Sequence, residues 1–200
     1  MSTSNFDVEF YQLSDDVKGA FIGSIATKER LTRNTLLYRF CGGPGLSPWW
    51  TEAKYLPDLL LKAKASKKAL YQYVRDTTAI LRRWDGNSIS HLVIATLNEE
   101  LSGFKGDISP QNEATIYMSP LDTENYKKKF TKQVFFRGGN SQVYINRFQM
   151  EKYDRNDEEM KKKIEKQMDE IQKRYLTYTV PFGTVSIYDD IDIIIQKCHL

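Results

Sequence analysis

Two polar side chains occur in runs that otherwise predict strands, and both are suited to a polar ligand. Arg39 lies within residues 35–40, where apolar side chains alternate. Burying an arginine there is costly unless it is paired, so it faces solvent or reaches an anion or a polar network. Gln142 begins a strand three residues after Gly139, and Gly138 and Gly139 allow a tight turn and close approach of a ligand to the backbone. We expect Gln142 to face a cleft; the alternative is an ordinary hairpin with an exposed glutamine.

The residues that follow the first of these strands fit the same kind of site. Residues 41–45 (CGGPG) predict a flexible loop, in which Gly42 and Gly43 can offer backbone amides to anionic oxygens. Trp49 and Trp50 come next, and neighbouring residues of a strand face opposite sides. One tryptophan can therefore lie in the core while the other is a platform for a flat ring.

Composition excludes several classes of protein. With 200 residues, 40% hydrophobic and 28% charged, the chain predicts one globular domain over 1–200. A net charge of +3 is too balanced to indicate nucleic acid. No apolar run approaches the roughly 20 residues of a membrane helix, and no signal peptide is visible at the start. Cys41 and Cys198 make no disulfide framework, which favours a reduced compartment, and the two cysteines and two histidines lack the spacing of a metal site.

Common catalytic motifs are also missing from the sequence. There is no phosphate-loop lysine motif, no Gly-x-Gly-x-x-Gly after a strand and no Gly-x-Ser-x-Gly elbow. A cysteine–histidine pair stays open, although Cys41 fits a small buried residue. His91 opens an apolar strand, where a structural or capping role is favoured over that of a general base.

The order of elements indicates a segregated α+β fold rather than repeated βαβ units. Helices are predicted over 52–61, with a second helix or a continuation over 62–83, and over 154–175, where an apolar stripe recurs. Strands are predicted over 35–40, 91–97, 104–111, 114–118, 142–150, 176–180 and 184–188, with another candidate over 191–195. The strands predicted over 176–180 and 184–188 are expected to form a hairpin across Pro181–Gly183. Residues 154–200 are expected to be an addition to the core.

Four stretches, in this order, resemble a known superfamily. The first, at 37–39, is an arginine strand before a glycine loop, and the second, at 47–51, is a Trp-Trp-Thr segment that leads into a helix. The third, at 106–111, is a strand that ends in Pro-Gln, and the fourth, at 138–145, is a Gly-Gly-x-x-Gln strand. Together these ranges hold 22 of the 200 residues. The pattern resembles the ADP-ribosyltransferase-like superfamily of NAD-consuming toxins, and within it the necrotising-toxin type of NAD glycohydrolase.

The resemblance implies a fold and a function. Two small packed β-sheets with flanking helices would enclose an NAD cleft, and the domain would cleave the nicotinamide–ribose bond of NAD as a toxin or effector. Arg39 would bind the pyrophosphate or a ribose, Trp49 or Trp50 would stack on nicotinamide, and Gln142 would orient the ribose. NAD is the substrate, and no metal is expected.

The sequence departs from this pattern in two places. Arginine-directed transferases of the superfamily carry Glu-x-Glu where this chain has residues 140–142 (NSQ). Without these carboxylates, water is favoured as the acceptor, and mono-ADP-ribosylation of a macromolecule is the alternative. The usual Ser-Thr-Ser is also replaced, so that only Ser47 or Thr51 can supply its hydroxyl. A second alternative is a non-enzymatic interaction module that uses its aromatic and lysine surfaces.

The resemblance also implies a setting. Such domains usually have a neutralising immunity protein as partner, whereas neither nucleic acid nor membrane is indicated as a partner. The protein would be cytoplasmic or delivered into the cytosol of a target cell by a specialised secretion system.

Overall fold

The computed structural model describes residues 8–80, 89–117, 130–151 and 157–199, which contain nine strands. They are β1 (Thr27–Leu31), β2 (Leu36–Cys41), β3 (Trp49–Glu52), β4 (His91–Leu97), β5 (Leu101–Asp107), β6 (Gln111–Tyr117), β7 (Phe130–Phe136), β8 (Ser141–Tyr144) and β9 (Leu176–Ser186). Seven of them form one antiparallel sheet in the order β1-β5-β8-β3-β2-β4-β9. The remaining two, β6 and β7, form a separate antiparallel ribbon.

Five α-helices flank this sheet in the described part of the chain. They are α1 (Asp15–Gly19), α2 (Leu56–Ala65), α3 (Leu70–Thr78), α4 (Glu158–Tyr175) and α5 (Ile191–Cys198). The longest, α4, has an N-cap at Asp157, whose carboxylate accepts the Met160 N–H at 2.9 Å. Acidic residues in its first turn and basic residues in its last turn complement the helix dipole.

One face of the sheet, which we call the inner face, carries an apolar core beneath α4. Trp50 of β3 and Val143 of β8 lie in this core, together with Tyr175 at the end of α4. Leu31 of one edge strand and Leu176 of the other belong to the same cluster. Residues from strands at both edges of the sheet therefore belong to one continuous core.

The opposite, outer face is covered by two different parts of the chain. Over β2, β4 and β9, apolar residues of α2, α3 and α5 pack on side chains such as Tyr38 and Phe40. Over β3, β5 and β8, residues 8–26 pack instead, and the anchor there is Phe21, which is almost fully buried against Phe104 and Tyr144. Chain before the first strand is thus part of the core.

The α+β class is confirmed, but the layout of the sheets differs from the prediction. The prediction was two small packed sheets, whereas the structure has one seven-stranded sheet and a two-stranded ribbon. The predicted hairpin over 176–188 is wrong, since β9 continues to Ser186 and pairs with β4 as an edge strand. Pro181 is tolerated because an edge strand leaves one row of N–H groups unused. Register shifts in the pairing with β4 accommodate the irregularity.

The C-terminal strand candidate over 191–195 is wrong as well, because these residues begin α5. Asp190 caps that helix by accepting the Asp192 N–H at 2.8 Å, and Ile194 packs into the core. A short apolar run, here interrupted by Asp192, fits a buried strand and one face of a short helix equally well, and the cap decides between them.

Other predicted bounds also shift. The helix over 52–61 begins at Leu56, after β3, and the next helix spans Leu70–Thr78; residues 81–88 lie outside the described part. The strand predicted over 142–150 stops at Tyr144 and passes into a 3-10 turn at Asn146–Phe148.

The Gly-Gly turn before β8 is held between β5 and the end of α3. Gly138 and Gly139 both have positive φ, at 64° and 88°. The Gly138 N–H donates to the Asp76 carbonyl and the Gly139 N–H to the Ile108 carbonyl, each at 2.9 Å. Arg137 adds an ion pair with the Asp76 carboxylate at 2.6 Å. Glycine is needed for the backbone conformation, and at Gly138 also for space, since a Cβ would lie 2.4 Å from the Ile108 carbonyl oxygen.

We expect Gly138→Ala to destabilise the fold more than Gly139→Ala. Both substitutions place a Cβ on left-handed backbone, at a cost of about 1–2 kcal/mol. Only the first also forces overlap with backbone, because no atom lies within 4 Å of a Cβ at Gly139. Chemical denaturation should show an additional loss of about 1–3 kcal/mol for Gly138→Ala, and equal losses would contradict this packing.

Candidate functional site

Arg39 lies in the middle of the inner face, stacked on a tryptophan. Its guanidinium carbon is 5.2 Å from the centroid of the Trp50 ring. Trp50 is only 1% exposed, and its indole N–H donates to the Ser47 carbonyl at 2.8 Å, which fixes the ring. A buried ring in a fixed position therefore sets where the guanidinium lies.

The guanidinium of Arg39 is only partly satisfied. Its Nη2 donates to the Gly45 carbonyl, which brings the loop after β2 over the inner face. Its Nε is buried and has no hydrogen-bond partner, and no carboxylate of the described residues lies within ion-pair distance. Burial lowers the pKa of Arg39 because desolvation disfavours the charged form. An unpaired donor in a half-buried cation is the strongest sign of a ligand site here.

Glu52 provides a carboxylate on the same face, but this carboxylate is already paired with two lysines. It pairs in register with Leu37, two residues from Arg39. Its oxygens accept from Lys105 at 2.6 Å and from Lys54 at 2.7 Å. Burial by itself would raise the pKa of Glu52, but the hydrogen bonds from the two lysines outweigh it and lower the pKa. The charge of Glu52 is thus balanced locally, and that of Arg39 is not.

Two weakly acidic groups, Cys41 and Tyr178, lie within electrostatic reach of Arg39. Burial raises the pKa of both, and the positive charge of Arg39 opposes the rise. Cys41 therefore stays a neutral thiol near pH 7, which makes it a poor nucleophile.

Cys41 pairs in register with His91. The His91 ring centroid is 4.3 Å from that of Phe182, and its Nδ1 is 2.8 Å from the Ser90 hydroxyl. We therefore derive no cysteine–histidine catalysis from this pair.

The glycine loop presents a carbonyl to Arg39 rather than a set of amides. Gly45 supplies that carbonyl, and a hydrogen bond from the Gly43 backbone opposes the rise in the Cys41 pKa. A Cβ at Gly43 would meet no atom within 4 Å, so the loop has open space beside it. The contact of Gly42 and Gly43 with phosphate oxygens stays a prediction.

Gln142 lies on the outer face, so the structure does not bring it together with Arg39. Its neighbour Val143 pairs with Trp50, the residue beneath Arg39. Successive side chains of a strand point to opposite faces, and Gln142 consequently points away. Its Nε2 donates to the Ala20 carbonyl at 3.0 Å, beneath the N-terminal segment.

Trp49 and Thr51 share the outer face with Gln142. The Trp49 ring lies 4.8 Å from that of Tyr144 and 5.7 Å from that of Phe21, between centroids. The Thr51 hydroxyl donates to the Ser141 carbonyl at 3.2 Å, and the Ser47 hydroxyl accepts the Trp49 N–H at 3.2 Å. Both candidate hydroxyls thus make local hydrogen bonds, and neither tryptophan is an open platform.

Sequence reasoning missed the two aromatic rings that β9 brings to the inner face. Tyr178 and Phe182 are half-buried and pack against the core beneath Arg39. They were assigned to a terminal hairpin outside the core. Alternation could not have found them, because register shifts in the pairing of β9 with β4 put Tyr178 in the inner core and Val180, two residues on, in the outer one.

Within the described residues, no helix is long and apolar enough to cross a membrane, and no group of three or more His, Cys, Asp or Glu side chains could hold a metal ion. No protein-family model and no curated protein matches the chain. A solved structure, that of Tne2 in complex with Tni2, is similar over 66% of this chain and 84% of its own, with 14% sequence identity and a TM-score of 0.32. A similarity this low carries no argument about fold or function.

We expect Gln142→Ala to weaken the attachment of the N-terminal segment. The substitution leaves the Ala20 carbonyl without the amide donor, which costs about 1–2 kcal/mol. Hydrogen exchange should speed up in residues 8–26 while the amides of β4 keep their protection. Gln149→Ala, at an exposed glutamine that bonds only to nearby chain in the described structure, is the control. Unchanged exchange in residues 8–26 would contradict this role.

Proposed function

We propose that the chain hydrolyses the nicotinamide–ribose bond of NAD at the inner face, with Arg39 as the anchor of the substrate. The observation that carries the proposal is the unpaired Nε of a half-buried guanidinium. An oxyanion at that position would satisfy the donor and neutralise the buried charge together. NAD offers such a group in its pyrophosphate, and the resemblance of the Arg39 strand and its glycine loop to NAD-consuming toxins points to the same ligand.

The geometry favours a phosphate contact over a structural role for Arg39. Two other arginines of the described chain have carboxylate partners: Arg137 pairs with Asp76 and Arg174 with Glu99. Among the described residues, Arg39 instead contacts the Gly45 carbonyl and the Trp50 ring. A charge-assisted hydrogen bond to phosphate is worth about twice a neutral one, so a bound pyrophosphate would repay much of the cost of desolvation.

Half-buried aromatic rings on the inner face are suited to contact the nicotinamide or adenine ring. Tyr178 and Phe182 lie on the side of the sheet where Arg39 lies. The face of Trp50 is already covered by the guanidinium, and Trp49 lies on the other side of the sheet. We therefore assign the stacking contact to the two rings of β9 in preference to a tryptophan.

Water is the acceptor that this site favours. The C1′–N bond of the nicotinamide riboside breaks with its electron pair moving to nicotinamide, and the ribose passes through an oxocarbenium-like state. Water adds to C1′ and loses a proton, which gives ADP-ribose. Activation of a protein side chain would need a free carboxylate, whereas Glu52 on this face is held by Lys105 and Lys54.

Two other parts of the assignment stay predictions. Orientation of the ribose by Gln142 requires a substrate that reaches the outer face, and turnover by Gln142→Ala, measured where the variant is folded, tests it. A neutralising partner and delivery into a target cytosol follow from the resemblance alone, and co-purification with the product of a neighbouring gene tests the partner.

We expect Arg39→Met to lose most NAD turnover and keep its fold. Methionine covers Trp50 without a charge, while loss of a charge-assisted hydrogen bond of about 2 kcal/mol reduces kcat/KM roughly 30-fold. The matched control is Arg33→Met, since Arg33 is an exposed arginine in the turn before β2. Full activity of Arg39→Met would remove Arg39 from the site.

Product identification separates hydrolysis from its rivals. With labelled NAD and a cell lysate, we expect equal amounts of nicotinamide and free ADP-ribose. Label on a macromolecule would instead establish transfer. If folded protein neither binds nor consumes NAD at millimolar concentration, the chain is an interaction module.

A further inference from the structure

A second guanidinium repeats the unusual environment of Arg39. Arg147 lies in the 3-10 turn that follows β8. Its guanidinium carbon is 5.7 Å from the centroid of the Tyr175 ring, and that ring is buried in the inner core. Its Nε is buried and has no hydrogen-bond partner among the described residues. In that part of the chain, Arg39 and Arg147 hold the two buried side-chain nitrogens that lack a partner.

A neighbouring arginine, Arg174, contacts the same ring but has its charge balanced by a carboxylate. The guanidinium carbon of Arg174 is 4.9 Å from the centroid of Tyr175. Its Nε and Nη2 donate to the two oxygens of Glu99, each at 3.1 Å, and its side chain is 58% exposed. Arg174 is therefore a paired surface arginine. Arg147 contacts the same ring without a carboxylate partner in the described structure. Contact with Tyr175 alone therefore does not explain why its Nε is buried and unpaired.

We propose that Arg147 binds an oxyanion of the phosphate class, at a position additional to Arg39. Removing a guanidinium nitrogen from water without a partner costs free energy that stacking on one ring recovers only in part. The Nε–Nη edge of arginine carries two parallel donors that match two oxygens of a phosphate. A phosphate group reaches the buried Nε only when the guanidinium turns outward, and it would then satisfy that donor and balance the charge. This inference goes beyond the proposed function, since it does not require that NAD be cleaved.

The test monitors the Nε–H resonances of arginine in the full chain during titration with inorganic pyrophosphate. An Arg39→Met background removes the first anion site, so that any remaining response belongs to the second. We expect one resonance to shift in a saturable way and to be absent when Arg147→Met is added. Pyrophosphate affinity should fall roughly tenfold or more with that substitution, as expected for loss of a charge-assisted hydrogen bond.

Arg174→Met, in the same background, is the matched control. It removes the same charge and a contact with the same ring, but from an arginine that already has a partner. We expect its pyrophosphate affinity to stay within about twofold of the background. Thermal melting should show that Arg147→Met is at least as stable as the background, because an unpaired buried donor is removed.

Two results would overturn the proposal. One is an Arg147 Nε–H resonance that does not move at pyrophosphate concentrations that saturate Arg39 in the unsubstituted chain. The other is equal loss of affinity in Arg147→Met and Arg174→Met, which would reduce the effect to net charge. A parallel titration with NAD identifies the source of the phosphate, since NAD shifts the resonance only if the dinucleotide reaches it. Absence of NAD hydrolysis would leave the pyrophosphate result standing.

Discussion

The stacking of Arg39 on Trp50 is the interaction on which the rest of this site depends. The indole is fixed by the Ser47 carbonyl and surrounded by the inner core, so the guanidinium has one place to lie. Its Nε is buried without a hydrogen-bond partner among the described residues, while the Gly45 carbonyl satisfies only Nη2. A cation placed in this way is a cost to the fold in the absence of a ligand, and an oxyanion would reverse that cost.

Charge compensation distinguishes two sets among the arginines of the described chain. At the surface, Arg30, Arg137 and Arg174 each have a carboxylate partner within 3.1 Å. Beneath the surface, Arg39 and Arg147 lie over aromatic rings of the inner core and keep an unpaired Nε. Exposed ion pairs contribute little to stability, whereas a buried unpaired donor has a large cost. Retaining two such donors on one core is consistent with a face that binds an anionic ligand.

Local sequence signals predicted the elements better than their arrangement. Alternation located β2, a continuous apolar run located β4, and the apolar stripe located α4, because each pattern extends over several residues. The order of the strands and their joining into a single seven-stranded sheet depend on long-range pairing, which no local pattern contains. For the site, an arginine in an apolar strand was a correct signal of an unusual environment. Alternation predicts that Gln142 and Val143 face opposite sides of the sheet. Only the pairing of Val143 with Trp50 decides which of them shares a face with Arg39.

The most direct measurement is a crystal structure of the protein with ADP-ribose, the product that hydrolysis would release. Our account predicts the ligand on the inner face, with a pyrophosphate oxygen within hydrogen-bond distance of the Arg39 Nε and an aromatic ring of β9 against one of its flat or sugar groups. ADP-ribose bound on the outer face beside Gln142, with the Arg39 Nε still unpaired, would contradict it.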